Sequence, residues 1–252
     1  MSRTVAIVQA RMGSRRMSGK VLTRLAGSPV LWHVITRAAR ARRVDQVLVA
    51  TSDQPGDAPI ARWCAAEGLT CVRGSEADVL ARYAMAAEAS GADFVVRITA
   101  DCPLLSPAVL DLVVDARTAS GADYASNTLA RGFPHGLDVE CLTRAALNTA
   151  AAEALDPEER EHVTPFVYNQ PERYKLESVV IPHDWSWLRW TLDTPLDLQF
   201  LEAIATAIPY ALDPLSDWHT IASQVAASPV LRAANEAAQS AADAASSSIV
   251  LN

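Results

Sequence analysis

The sequence predicts an α/β protein whose parallel sheet is covered by helices on both faces. In the first 120 residues, short apolar runs rich in β-branched residues alternate with segments whose apolar residues recur at helical spacing. Glycine or proline stands at the ends of most of these segments, which is typical of helix and strand boundaries. Half of the 252 residues are apolar, which is enough to bury one large core.

The first half predicts four strands and four helices in regular alternation. The strands are "TVAIVQA" (Thr4 to Ala10), "QVLVATS", "TCVRG" and "DFVVRITA". The first helix, "SPVLWHVITRAARARRV", is predicted to have Ser28 as its N-cap and Pro29 as its first residue. The later helices are "APIARWCAAEG", "EADVLARYAMAAEASG" and "PAVLDLVVDARTASG". Because parallel strands need right-handed crossovers, residues 1–120 are expected to form a Rossmann-like layer.

The pattern changes after Gly121 and predicts a smaller mixed or antiparallel extension over about residues 121–200. Its strands are "DYASN", "GLDVECLT" and "YKLESVVIP", with helices near "RAALNTAAAEAL" and "EEREHVTPFVYNQP". A further apolar strand, "WLRWTL", leads to Asp193. We expect one domain over residues 1–230. The Ala- and Ser-rich tail, 231–252, predicts a frayed helix or a disordered end.

Composition excludes several classes of protein. No apolar run reaches the roughly 20 residues of a spanning helix, and no signal-peptide pattern opens the chain, so we expect a cytoplasmic protein without membrane contact. The four cysteines lack the spacing of a zinc site and are expected to be reduced thiols in or near the core. The net charge is −7, yet ten Lys or Arg precede the first acid, Asp45. One local basic feature on an acidic body favours a small polyanion over nucleic acid.

That basic feature is the loop "VQARMGSRRMSGKV", Val8 to Val21, which contains four cations, two glycines and no acid. It follows the first strand, where open α/β sheets bind phosphate. Gly13 and Gly19 are separated by five residues and Lys20 is followed by Val21, so the loop is not a Walker A motif; G-x-G-x-x-G is also absent, which disfavours a nicotinamide enzyme. Clustered cations of this number suit a triphosphate. A solvated basic loop, or one paired with surface acids, is the alternative.

Several linked motifs resemble those of one family. In chain order they are "VQARMGSRRMSGKVL", "RGSEADVLARY", "VVRITADCPLL", "YASNTL", "GLDVE", "EREHVTPF" and "LRWTLDTPLDL". Together they resemble the cytidylyltransferase-like family of the spore coat polysaccharide protein SpsF, which is related to CMP-sialate and CMP-Kdo synthetases. The chain departs from the family loop, R-M-G-S-T-R-L-P-G-K, most notably at Arg15 and Ser18, and "TADCP" stands where a glycine commonly precedes the aspartate.

This resemblance implies a three-layer α/β/α nucleotidyltransferase fold, similar to glycosyltransferase A. It also implies CMP transfer from CTP with Mg²⁺ as cofactor and release of pyrophosphate. In the family, the aspartates matching Asp101 and Asp193 are the metal-binding pair, and Mg²⁺ prefers one or two carboxylates together with phosphate oxygens. From the residues alone, Asp193 is equally an N-cap and Asp101 a turn residue. Asp197, one helical turn after Asp193, is expected to be an ordinary exposed helix acid, and a supporting partner of the site is the alternative.

The remaining candidates fall into three groups. Lys20, Arg11 and Asp101 are the predicted catalytic residues, with Arg11, Arg16 and Lys20 on the leaving phosphates. The predicted nucleotide site comprises Ala10, Arg11, Met12, Gly13, Ser14, Arg16, Lys20, Thr51, Arg73, Ser75, Asp78, Arg97 and Thr99. The predicted acceptor site comprises His135, Asp138, Glu140, Glu161, His162 and Arg189. Asp78 is alternatively a helix cap, and the two histidines alternatively make structural hydrogen bonds. A buried strand arginine such as Arg97 requires an anion, a base edge or a carboxylate as its partner.

The predicted substrates are CTP and a small anionic acceptor, such as a sugar acid or sugar phosphate, in polysaccharide or specialised-metabolite synthesis. Two alternatives stay open, namely another donor such as UTP, GTP or ATP, and a non-catalytic nucleotide-binding subunit. The resemblance also suggests a homodimer formed through the second-half strands. Fold and phosphate loop do not encode the acceptor.

Overall fold

A seven-stranded sheet forms the centre of the molecule. The structure is a computed structural model that describes residues 2–14 and 16–250, the last five of these for their backbone alone. The strands of the sheet are β1 (Thr4–Gln9), β4 (Gln46–Ser52), β5 (Cys71–Gly74), β6 (Phe94–Thr99), β7 (Tyr124–Ser126), β8 (Glu140–Thr143) and β9 (Leu176–Ser178). Their order across the sheet is β5-β4-β1-β6-β8-β7-β9. The first four are mutually parallel, whereas β8 is antiparallel to both β6 and β7. A separate two-stranded ribbon contains β2 (Arg24–Leu25) and β3 (Ser28–Pro29).

Ten helices pack around the sheet within the described residues. They are α1 (Val30–Ala38), α2 (Ala58–Ala66), α3 (Val79–Ser90), α4 (Pro107–Ser120), α5 (Arg144–Glu153), α6 (Pro157–His162), α7 (Pro165–Tyr168), α8 (Pro195–Ala207), α9 (Trp218–Ala227) and α10 (Pro229–Val250). No described helix combines the length and the apolar character that crossing a membrane requires.

Successive side chains of each strand point to opposite faces of the sheet, so the buried core is divided into one cluster on each face. Ala6 and Val8 of β1 belong to one buried cluster with α1, α4 and α8, whereas Val5 and Ile7 belong to a second cluster with α3 and α5. Because both faces of the sheet are covered, its central strands are largely apolar rather than alternating. The predicted three-layer α/β/α fold is confirmed.

The parallel register brings the functional segments to one edge. Gln9, the last residue of β1, pairs with Ala50 on β4 and with Thr99 on β6. The segments that follow these three strands therefore emerge together at their carboxyl ends. This edge is where open α/β sheets bind ligands.

Three local predictions are wrong. Pro29 is the N-cap of α1 rather than its first residue, since Ser28 and Pro29 pair with β2. The predicted strand "WLRWTL" is reduced to one isolated bridge between His135 and Arg189. The segment predicted to be a frayed helix or a disordered end is helical but packed: it forms most of α10, whose Leu231 and Ala238 are buried in the core. Its last two residues lie outside the described residues.

Substitution of Gly136 tests how closely the chain packs beside the isolated bridge between His135 and Arg189. A Cβ atom at this position would lie 2.8 Å from the carbonyl carbon and oxygen of Trp190, and φ is +102°. We expect Gly136→Ala to lower the free energy of unfolding by at least about 3 kcal/mol, because strain and a backbone clash add. Urea unfolding measures the free energy of unfolding. Gly121→Ala is the matched control, since its φ is +65° and nothing lies near its Cβ; a loss of about 1–2 kcal/mol is expected there. Equal losses in the two variants would contradict the packing described.

Candidate active site

The basic loop lies at the carboxyl edge of the sheet, directly after β1. Ala10 extends the pairing of β1 by donating its amide to the carbonyl of Ala50 at 3.0 Å. The amides of Ser14 and Gly19 both donate to the carbonyl of Met12 at 2.9 Å, which closes the loop on itself. Gly19 has a φ of +72°, a left-handed conformation that favours glycine. The chain then turns into a short 3-10 helix, Lys20–Leu22. Arg15 lies outside the described residues.

Asp57 anchors this loop, and sequence reasoning missed it. Its buried carboxylate accepts a hydrogen bond of 2.6 Å from the amide of Met12 and another from the hydroxyl of Ser52. No local pattern identifies Asp57, because nothing near it in the sequence shows that its carboxylate faces the loop 45 residues earlier. Asp57 therefore ties the basic loop to the end of β4.

Lys20 lies between the two predicted metal-binding carboxylates. Its Nζ is 2.6 Å from Oδ2 of Asp101 and 2.7 Å from Oδ1 of Asp193. Burial by itself lowers the pKa of Lys20, but the two carboxylates outweigh burial and raise that pKa above its usual value. Burial likewise would raise the pKa of Asp101, and the ammonium of Lys20 instead lowers it. At neutral pH the lysine is therefore protonated and Asp101 is ionised.

A main-chain hydrogen bond joins the two segments that carry these aspartates. The amide of Leu192 donates to the carbonyl of Asp101 at 2.8 Å, so the segment that precedes Asp193 is tied to the end of β6. A second loop cation, Arg16, lies 3.1 Å from Oδ1 of Asp193. The loop and the two aspartates thus form one connected ionic cluster.

Behind Asp193 lies a buried ion pair between Arg189 and Asp197. The guanidinium of Arg189 donates to Oδ2 of Asp193 at 2.6 Å and to Oδ1 of Asp197 at 2.8 Å. Asp197 also completes a capping box with Thr194 at the start of α8. The expectation that Asp197 is an exposed acid is wrong, because its exposed fraction is 1%. The N-cap of α8 is Thr194, which leaves Asp193 free of that role.

A second buried network joins β6 to the second half of the chain. Arg97 pairs with Glu140, so the partner that a buried strand arginine requires is a carboxylate. Glu140 also accepts hydrogen bonds from the hydroxyls of Tyr124, at 2.6 Å, and Thr164, at 2.5 Å. Burial alone would raise the pKa of Glu140, but Arg97 and these hydroxyls lower it below its usual value. Glu140 is therefore an ionised carboxylate with several partners.

A cavity of about 520 Å³ opens above this network. It brings together five predicted residues from both halves of the chain, namely Arg97, Thr99, Asp138, Glu140 and His162. Its other walls are Thr128, Leu129, Arg131, Thr164 and Tyr168, which sequence reasoning did not select. Arg131 pairs with Asp138 at 3.1 Å on the rim. The wall is therefore polar, with hydroxyl groups and both signs of charge.

Among the other predicted nucleotide residues, the side chains of Asp78 and Arg73 have partners within the protein, whereas the buried hydroxyl of Thr51 has no hydrogen-bond partner among the described residues. Asp78 caps α3 through the amide of Ala81 and pairs with Arg160 at 2.6 Å. The guanidinium of Arg73 donates to the carbonyls of Ser52 and Gln54, both at 2.9 Å. The carbonyl of Ser75 accepts from Arg82, and Thr51 is fully buried.

The other predicted acceptor residues are placed outside the walls of the cavity. Glu161 lies 3.5 Å from Arg11, and the exposed fractions of these two side chains are 52% and 49%. This pair links α6 to the basic loop. His135 forms the main-chain bridge to Arg189, and burial, with the charge of Arg131, lowers the pKa of its imidazole. The side chain of Arg189 is directed to Asp193 and Asp197.

The fold and this arrangement define a nucleotidyltransferase. Residues 5–205 match the family model described as cytidylyltransferase. The chain is 31% identical over 211 residues to the spore coat polysaccharide biosynthesis protein SpsF of Bacillus subtilis, covering 81% of this chain and 87% of that protein. The chain belongs to the cytidylyltransferase family and is a CTP-dependent nucleotidyltransferase.

Two solved structures have the same fold. A cytidylyltransferase from Leptospira borgpetersenii superposes with a TM-score of 0.86 at 27% identity, covering 92% of this chain and 97% of that chain. The structure of CMP:2-keto-3-deoxy-manno-octonic acid synthetase complexed with CTP gives a TM-score of 0.64 at 18% identity, covering 82% of this chain and 99% of that chain. At that identity the second likeness shows the fold alone.

The Arg97–Glu140 pair predicts a pH-dependent contribution to stability. We expect Glu140→Gln to lower the free energy of unfolding at pH 7 by about 3–5 kcal/mol, because it leaves a buried guanidinium without its charge partner. Since the folded pKa of Glu140 lies below its usual value of 4.5, the pair stabilises the fold above that pH. This contribution is lost as the pH falls through the lower, folded value. Urea unfolding between pH 3 and 7 should therefore show the difference from wild type shrinking below about pH 4.5.

The matched control for this measurement is Glu153→Gln. Glu153 is half-exposed and pairs with Arg173 on the surface, so its substitution should change the free energy of unfolding little at any pH. A Glu140→Gln difference that stays constant down to pH 3 would contradict the ionised state assigned to Glu140.

Proposed function

We propose that this protein is a Mg²⁺-dependent enzyme that transfers CMP from CTP to a small, anionic, polyhydroxylated acceptor such as a sugar acid or sugar phosphate. The observation that carries the proposal is the position of Lys20 between Asp101 and Asp193, beside a glycine-bearing basic loop. An acceptor oxygen forms a bond to the α-phosphorus of CTP. The bond from that phosphorus to the bridging oxygen breaks, and pyrophosphate leaves.

The residues present fit a divalent cation. Two carboxylate oxygens converge on one ammonium nitrogen, so they also converge on a point that a cation of another kind can occupy. No group of three or more His, Cys, Asp and Glu that suits a metal occurs among the described residues. Mg²⁺ is commonly held by one or two carboxylates together with substrate phosphate oxygens, so a pair of aspartates is the donor set it needs. When bound, Mg²⁺ supplies charge neutralisation at the phosphate oxygens.

Lys20 has two roles in this proposal. In the structure it neutralises Asp101 and Asp193, and it also belongs to a loop whose other cations, Arg11 and Arg16, face the same edge. When the metal and nucleotide are bound, we expect Lys20 to move from the carboxylates to the leaving phosphates. Arg11 and Arg16 would hold those phosphates with it, because charge neutralisation and positioning supply most of the catalysis in phosphoryl transfer.

The cavity is the proposed acceptor site. It lies beside Thr99, at the end of the strand that leads to Asp101, so an acceptor bound there is near the proposed metal. Arg131 and His162 on its wall can bind an anionic group, and the hydroxyls of Thr128, Thr164 and Tyr168 can bind sugar hydroxyls. The proposal includes a cytoplasmic location. It also includes a homodimer formed through the second-half strands, since β9 is the outer strand of the sheet.

Substitution of Lys20 tests the assignment of the loop. We expect Lys20→Ala to lower kcat by at least about 10²–10³-fold, because a cation is removed from the site of the leaving phosphates. Pyrophosphate release measures turnover, and circular dichroism reports whether the fold is kept. Arg24→Ala is the control, since Arg24 is an exposed cation of the same part of the chain and contacts the carbonyl of Gly27. Wild-type turnover in a folded Lys20→Ala protein would show that the loop assignment is wrong.

A thermal-shift comparison of the four nucleoside triphosphates, each with Mg²⁺, tests the donor and the metal together. Ligand at about 100 times its Kd stabilises a protein by about 2.7 kcal/mol, which for a chain of this size raises Tm by about 5–10 °C. We expect CTP to give the largest shift, and chelation of the metal to reduce it. A larger shift with UTP, GTP or ATP would contradict the donor, and an unchanged shift after chelation would contradict the metal.

A further inference from the structure

Arg189 lies in a segment that is paired on one side like a strand but has no strand on the other. The amide of His135 donates to the carbonyl of Leu188 at 2.9 Å, and the amide of Trp190 donates to the carbonyl of His135 at 2.7 Å. Main-chain groups of an extended segment point alternately to its two sides. The amide of Arg189 and the carbonyl of Trp187 therefore point away from His135, into the protein.

The side chain of Asn235 occupies the place of the missing strand. Its Oδ1 accepts a hydrogen bond of 2.9 Å from the amide of Arg189, and its Nδ2 donates to the carbonyl of Trp187 at 2.9 Å. A side-chain amide has the same donor and acceptor as a peptide group, so it reproduces both bonds of a neighbouring strand. Asn235 is 1% exposed, and without it the buried amide of Arg189 and the carbonyl of Trp187 would both lose these partners.

The segment held in this way supports the site directly. The guanidinium of Arg189 contacts Asp193 at 2.6 Å and Asp197 at 2.8 Å, with an exposed fraction of 9% for the residue. A shift of the Arg189 main chain would therefore move the group that orients Asp193. Groups that orient metal-binding carboxylates typically contribute 10–100-fold to metal affinity or activity.

We propose that Asn235 of the C-terminal helix is a positioning residue for Asp193, acting through Arg189. This proposal rests on the function proposed above, in which Asp193 binds the metal. Asn235 lies on α10, beyond residue 205, where the match to the family model ends. The helix that the sequence predicts to be a frayed tail thus takes part in the site that the family motifs define.

The experiment compares Asn235→Leu with Leu231→Ala in the full chain. Leucine keeps the approximate size of asparagine but can neither accept from Arg189 nor donate to Trp187. Leu231 is 3% exposed and lies one turn earlier on α10, so its truncation loosens the same helix but leaves both hydrogen bonds of Asn235 in place. The dissociation constant of Mn²⁺ in the presence of CTP, kcat, KM for CTP and Tm are measured for each protein.

We expect Asn235→Leu to weaken Mn²⁺ binding by about tenfold and to lower kcat by a similar factor, with a smaller change in KM for CTP. Leu231→Ala should lower Tm by at least as much and leave the Mn²⁺ dissociation constant within about twofold of wild type. If Asn235→Leu lowers Tm but leaves Mn²⁺ binding and kcat at the level of Leu231→Ala, its role is structural only and the proposal is overturned.

Hydrogen exchange separates failure of this proposal from failure of the proposed function. In Asn235→Leu the amide of Arg189 should exchange at least about tenfold faster than in Leu231→Ala, since it loses its acceptor, and the amide of Asp193 should exchange faster as Arg189 shifts. A wild-type protein that binds no Mn²⁺ with CTP would overturn the metal role, and the exchange rates then decide whether Asn235 positions Asp193. Equal exchange in the two variants overturns the positioning role, whatever the metal result.

Discussion

The architecture of the site depends on the close approach of two carboxylates, Asp101 and Asp193. Two like charges about 4 Å apart repel by about 4 kcal/mol at the effective dielectric constant of a partly buried protein site. The structure meets this repulsion with cations from two directions. Lys20 and Arg16 come from the loop after β1, and Arg189 comes from the segment before α8. The cations that stand out at the start of an acidic chain therefore have acids from the far end of the chain as their partners.

Charge balance also explains why the cluster is suited to a triphosphate. Lys20, Arg16 and Arg189 face Asp101, Asp193 and Asp197, so the cluster is close to neutral. Arg189 and Asp197 are buried and satisfy each other, whereas the two loop cations belong to a segment anchored at few points. A polyanion that enters can attract the loop cations without breaking the buried pair. In the proposed mechanism, the aspartates would then lose part of their counter-charge, which a divalent cation would replace.

The sequence predicts correctly those contacts that follow from a residue's place at the end of a parallel strand. Because the carboxyl ends of parallel strands meet at one edge, the basic loop and Asp101 were predicted to lie together, and Asp193 was added by the family motif. Asp57 and Asn235 were missed, since each acts on a partner more than 40 residues away and no local pattern shows it. The burial of Asp197 had a local signal, because Thr194 and Asp197 have the spacing of a capping box.

The Ala- and Ser-rich tail was mispredicted for a related reason. Its many small residues suggest a segment unable to form a core, but small side chains also let a helix approach its neighbours closely, and Leu231, Asn235 and Ala238 are buried on one face of α10. Composition alone does not distinguish these outcomes, because the difference lies in whether a complementary surface exists elsewhere in the fold. Here that surface is formed by α8 and α9.

The floor and the rim of the proposed acceptor cavity contribute differently to the stability of the fold. This difference determines where acceptor specificity can vary. Arg97 and Glu140 form the floor of the cavity, and each is tied to buried partners, so substitutions there lower stability before they change selectivity. Arg131 and Asp138 pair on the rim with 41% and 34% of their side chains exposed. Exposed ion pairs contribute little to stability, so the rim can change at low cost to the fold. With the acceptor bound in this cavity, as proposed above, differences in acceptor among related enzymes are expected at the rim, above a floor that the fold itself requires.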